Sequence, residues 1–169
     1  LTGTLYGYAV SLDHDQLWPR ERAHLGIKKV LDSPYIDLLG SPSEYDNRGI
    51  GESGGFSSVP ESINLHGKLF VNQEDLRTYI QRISSRDNED LNDLSSENLQ
   101  DSLSVIKREF IMTLVHHTPI QWYEFTNRWL TGDIRIMNLL KTCKKISSFC
   151  AGFNYDIPQE DSIAWIINE

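Results

Sequence analysis

The stretch SINLHGKLFVNQEDLRTYIQRI, residues 62–83, decides the fold class. Its first half holds two short apolar runs, SINL (62–65) and KLFV (68–71), on either side of His66-Gly67. Short runs around a glycine read as strands, here a hairpin. The second half changes period. Asn72 has the side chain of a helix cap, and Glu74 and Asp75 follow where a helix dipole favours acid. Leu76, Tyr79, Ile80 and Ile83 then recur at i, i+3, i+4 and i+7, the spacing of one helical face.

Upstream, TLYGYAVSL (4–12) alternates with aromatics on one face and reads as another strand. A short helix is expected over 19–34, opened by Pro19 and ended near Ser33-Pro34. Residues 40–61 are dense in Gly, Ser and Pro and read as a flexible loop or ribbon. Downstream, SRDNEDLNDLSSENLQD (85–101) is an acidic connection, with Ser96 placed to cap the next helix. Leu99, Leu103, Ile106, Phe110 and Leu114 carry that helix to about His117. Thr118-Pro119 suits the start of a third helix, IQWYEFTNRWL, and a fourth spans about 134–149. IAWII, near the end, reads as a buried strand. Strands first, then helices, predict one domain over 1–169 of the α+β class. The expected architecture is a mostly antiparallel sheet packed on one side by a bundle of about four helices.

Net charge is −8, which argues against a clamp on long nucleic acid but not against a site for one nucleotide. No apolar run has the length of a membrane span, so no membrane association is expected, and the N-terminus lacks the pattern of a signal peptide. A first residue of Leu rather than Met leads us to expect a fragment of a larger protein. Cys143 and Cys150, on one helix, would stand about 10.5 Å apart along its axis, too far for a disulfide. Free thiols fit a reducing compartment.

Phosphate-loop, nucleophile-elbow, zinc-protease and paired-cysteine motifs are absent, and no catalytic residue, metal or cofactor is expected. GIGESGG (49–55) is glycine-rich but lacks the strand and helix that make a phosphate cradle. In LVHHTPIQWY (114–123), adjacent histidines point about 100° apart on a helix and cannot share one ion as an i, i+4 pair does. They read as histidines at a helix junction, or as one side of a ligand pocket. Trp122, Tyr123, Phe125 and Trp129 crowd the next helix, so that some are core and some face outward.

Residues 62–169 resemble the cap-binding (middle) domain of the polymerase basic protein 2 subunit of orthomyxoviruses. The resemblance is one of order and local character: HGKLFV, then a helix ending ISSRDNED, then a helix REFIMTLVHH, then a helix ending TGDI, then NLLKTCKKISSFCAGFNYDIPQEDSIAWII. The departures point to a divergent member such as the thogotoviruses. The resemblance implies a non-catalytic domain of a viral RNA-dependent RNA polymerase, used in cap-dependent priming of transcription, located in the host nucleus and the virion. Its implied partners are the other polymerase subunits and capped host messenger RNA, whose 7-methylguanosine is held between two rings and read by a carboxylate. The family's stacking phenylalanine falls on His116, and its lysine falls near Asn72–Glu74, where no lysine stands. Phe56, Trp18 and Glu52 are the candidates for the second ring and the acid. Such a domain is expected to be monomeric, with cap binding kept, weakened or lost. The alternative is a protein-interaction domain of a larger assembly, with no nucleotide ligand and a docking face on the helix at 119–130.

Overall fold

A computed structural model describes residues 3–5, 26–44, 48–84, 96–124 and 128–152. Among the described residues four strands lie in the order of the chain: β1 (Gly3–Leu5), β2 (Leu38–Pro42), β3 (Leu69–Glu74) and β4 (Ile120–Trp122). Every neighbouring pair is parallel, with Leu39 opposite Phe70, Ser41 opposite Asn72, and Glu74 opposite Trp122. The α+β expectation holds at the level of mixed helix and sheet, but the antiparallel sheet does not. Among the described residues there are five helices rather than about four: α1 (Ile27–Leu31), α2 (Pro60–Leu65), α3 (Tyr79–Ser84), α4 (Leu99–Val115) and α5 (Ile134–Cys150).

The deciding stretch explains the difference. SINL is not a strand but the body of α2, which starts with Pro60 at its first position and Glu61 in its first turn. His66-Gly67 is not a hairpin turn but the end of that helix. Gly67 takes a φ of +69°, its N–H donates to the Asn64 carbonyl, and the Lys68 N–H donates to the Ile63 carbonyl. This is a Schellman termination, and it sends the chain into β3 alongside β2 rather than against it. Asn72 is no helix cap either. It is fully buried within β3, which runs on to Glu74, while the next helix begins only at Tyr79.

Beside α4, the expected cap Ser96 yields to Asn98, whose side chain accepts the Asp101 N–H at 3.0 Å. IQW is a strand, not a helix, and Trp129-Leu130 lie in a turn. The fourth expected helix is α5, capped by Asp133, whose carboxylate accepts the Arg135 N–H at 2.7 Å. Cys143 and Cys150 both lie on it as free thiols, and burial raises the Cys143 pKa. The remainder of the 4–12 strand and of the 19–34 helix, and the IAWII strand, lie outside the described residues.

Burial alternates along β3: Phe70, Asn72 and Glu74 face inward, while Leu69 is exposed. Parallel strands added in chain order send right-handed crossovers to one face, which is where the buried residues point. Two apolar clusters form there. One joins Leu31, Leu39, Ile63 and Phe70. The other joins Leu76, Val105, Ile106, Trp129, Leu130 and Ile136 between α4, α5 and the turn before α5. Burying each such side chain contributes roughly 1.5–3 kcal/mol. No helix among the described residues is long and apolar enough to cross a membrane.

Candidate functional site

The segment between β2 and α2, expected to be a loop, has little regular structure but is fastened at many points. Ser43 and Phe56 form an antiparallel bridge across it. Ser57 Oγ donates to the Pro42 carbonyl at 2.5 Å and accepts from Ser41 Oγ at 2.6 Å. Arg48 is buried, pairs with Asp75 at 2.6 Å, and donates to the carbonyls of Glu44 and Ser43. Arg108, on α4, spreads its fork over the carbonyls of Gly49, Glu52 and Arg48 and grips the Glu109 carboxylate beside it. Five rigid donors on one guanidinium make this possible. Gly54 is required where the loop passes Glu109: its φ is +69°, and a Cβ there would stand 2.7 Å from Glu109 Oε1.

A polar seam results between the two apolar clusters. Ser43 Oγ donates to Glu74 Oε2 and accepts from Asn72 Nδ2 at 2.9 Å. Glu74 Oε1, Glu109 Oε2 and Asn72 Oδ1 are buried with no hydrogen-bond partner. Burial is the main reason the Glu74 pKa rises to about 7; the Glu109 charge adds to it, while Arg48 and the Ser43 hydroxyl oppose it. Burial likewise raises Glu109 against the pull of Arg108 and Arg48. Among the described residues no group of three or more His, Cys, Asp or Glu is disposed to hold a metal ion.

The rings stand at the edge of this scaffold. His116 is the C-cap of α4 and Phe56 closes the Ser43 bridge, so residues far apart in sequence meet. Their centroids are 5.1 Å apart with the planes at 78°. Phe56 also rests edge-on against the buried Phe70 at 6.0 Å. His116 Nδ1 pairs with the Glu61 carboxylate from the first turn of α2, and both side chains are substantially exposed. His117 is not part of this group. It takes a φ of +53°, with its N–H on the Leu114 carbonyl and the Thr118 N–H on the Thr113 carbonyl. The histidine pair thus ends α4 with the same termination that Gly67 gives α2, and the helix-junction reading of LVHHTP holds for His117.

Of the four candidate residues, the structure brings His116 and Phe56 together. Glu52 is exposed, and its carboxylate folds back onto the Gly49 N–H. Trp18 lies outside the described residues. Glu61 was missed. Val-Pro-Glu at 59–61 is a helix-start signal, but a strand reading of SINL leaves it no helix to start. Arg48, Arg108 and Glu109 carried no local motif, and their roles exist only through partners distant in sequence. Scans against protein-family models, curated proteins and solved structures gave no match.

Proposed function

We propose that this chain is a non-catalytic domain of a viral RNA polymerase subunit, related to the orthomyxovirus cap-binding module, with the ligand site at Phe56, His116 and Glu61. The sequence resemblance motivates the reading, and the meeting of two rings and a carboxylate at one exposed place carries it. A methylated guanine is flat and positively charged, so it stacks on rings and offers N–H donors to an acid. A base between two rings needs centroids about 7 Å apart, twice the roughly 3.5 Å contact distance. The 5.1 Å edge contact is closer than that. Binding therefore swings His116 away from Glu61, breaking one exposed contact, and frees Glu61 to read the base edge. In this reading the domain acts in the host nucleus and is carried in the virion.

Titration with 7-methylguanosine triphosphate, read by melting temperature and tryptophan fluorescence, tests it. At hundredfold excess over the dissociation constant, the wild-type chain should gain about 2.7 kcal/mol. Phe56→Ala and His116→Ala should each lose that gain, and unmethylated GTP should give less. No shift with the methylated nucleotide, or an equal shift in the variants, rejects the site.

The closed ring pair supports a second reading, a protein-interaction domain without a nucleotide. Ile111 and Val115, one turn apart on α4, are 56% and 64% exposed. The docking helix expected at 119–130 is not the face, because 120–122 is strand β4.

A further inference from the structure

We propose that the outer face of α5 is a short track for the phosphates of single-stranded RNA, built from Lys141, Lys144 and Lys145. The chain as a whole carries 24 acids and 16 bases, so such a surface runs against its average charge. Its charges are not evenly spread. From Ile134 to Cys150 there are four bases, Arg135 and the three lysines, and no acid. Arg135 is spent on Asp133 at 2.5 Å. The three lysines are exposed and, among the described residues, make no hydrogen bond or ion pair. Elsewhere the described cations are more often engaged: Lys28 with Asp32, Lys68 with two carbonyls, Arg48 with Asp75, Arg108 with Glu109.

The geometry suits a backbone rather than a single anion. At 100° per residue the three lysines fall within a sector of about 100° on the side of α5 away from the buried Ile136 and Cys143. They span about 6 Å along the axis at 1.5 Å per residue, and flexible side chains on one sector can reach neighbouring phosphates of one strand. A helix C-terminus favours cations for its own stability, but that effect fades within the last turn, and the last turn of α5 holds no base. RNA is chosen over another polyanion because of the function proposed above; the surface itself stands on charge alone.

The test uses the 169-residue chain and a fluorescent, uncapped single-stranded RNA of about a dozen nucleotides, read by anisotropy across a salt series. Three phosphate contacts give a slope of log affinity on log salt of about −2, a loss of roughly twentyfold from 50 to 200 mM. The triple variant K141Q/K144Q/K145Q should bind at least tenfold more weakly with a nearly flat slope, at unchanged circular dichroism and melting temperature. A second set, K28Q/K29Q on α1, should leave binding intact. The proposal falls if RNA does not bind, if the triple variant binds as well as wild type, or if polyglutamate competes as strongly as RNA, which would mark an acidic protein partner. Uncapped RNA that binds while 7-methylguanosine triphosphate does not would reject the cap site and leave this track standing.

Discussion

Glu74 is the residue whose surroundings differ most from its place in the sequence. Beside Asp75 it reads as exposed acid at a helix start; in the fold it is the inward residue of β3, fully buried. Its ordinary value of 4.5 rises to about 7 because burial penalises the charge more than Arg48 and Ser43 relieve it. Between those two values the folded chain holds a proton that the unfolded chain has released. The stabilisation is therefore complete below pH 4.5 and is lost as pH climbs through about 7. Glu109 acts in the same direction. Glu74→Gln removes the ionisation while keeping the shape. Its melting temperature should change less than that of wild type between about pH 5 and 8, and should exceed wild type at the alkaline end by an amount worth a few kcal/mol. Parallel profiles would show that Glu74 is solvated. The alternation Phe70, Asn72, Glu74 was the available signal, hidden by reading Asn72 as a cap.

Helix ends decide this topology. α2 and α4 finish with the same backbone turn, and each feeds a strand that joins the sheet parallel to its neighbour. At Gly67 the left-handed conformation is free of Cβ strain. At His117 an L residue occupies it, at a cost of about 1–2 kcal/mol. His117→Gly should stabilise the chain by about 1 kcal/mol in denaturant melts, and Gly67→Ala should destabilise it by a similar amount. A loss of stability in His117→Gly would mean that contacts of the imidazole outweigh the strain. The long helices were legible, since their apolar periods survive over 17 residues each and both carry side-chain caps. The short elements were not. Four apolar-rich residues fit a strand or one turn of helix equally well, and only the termination geometry at His66-Gly67 separates them.

For the whole molecule, the buried polar seam separates two apolar clusters that share no residue. Ile63 belongs to one and Ile106 to the other, both fully buried. Ile63→Val and Ile106→Val should each cost about 1 kcal/mol, and the double variant should cost their sum to within about 0.5 kcal/mol. A larger discrepancy in denaturant unfolding would show that the clusters act as one core. The mixed class was legible from composition and periodicity. The parallel sheet was not, because it depends on a crossover helix that local pattern assigned to a hairpin. Of the candidate site, the His116 position came from resemblance and the Phe56 position from its loop; their meeting, and Glu61 beside them, are products of the topology.

That topology also sets the order of events after synthesis. No strand of the sheet finds its neighbour next door in the chain: each ladder joins segments separated by roughly thirty to fifty residues, and a helix must form in between. The sheet cannot zip up from a local hairpin. α4 and α5, whose backbone hydrogen bonds are local, are placed to form early and wait, while the strands close last across long loops. During that wait Leu38, Leu39 and Phe70 stand open to other chains, so the yield of native protein on refolding is set by concentration as much as by stability.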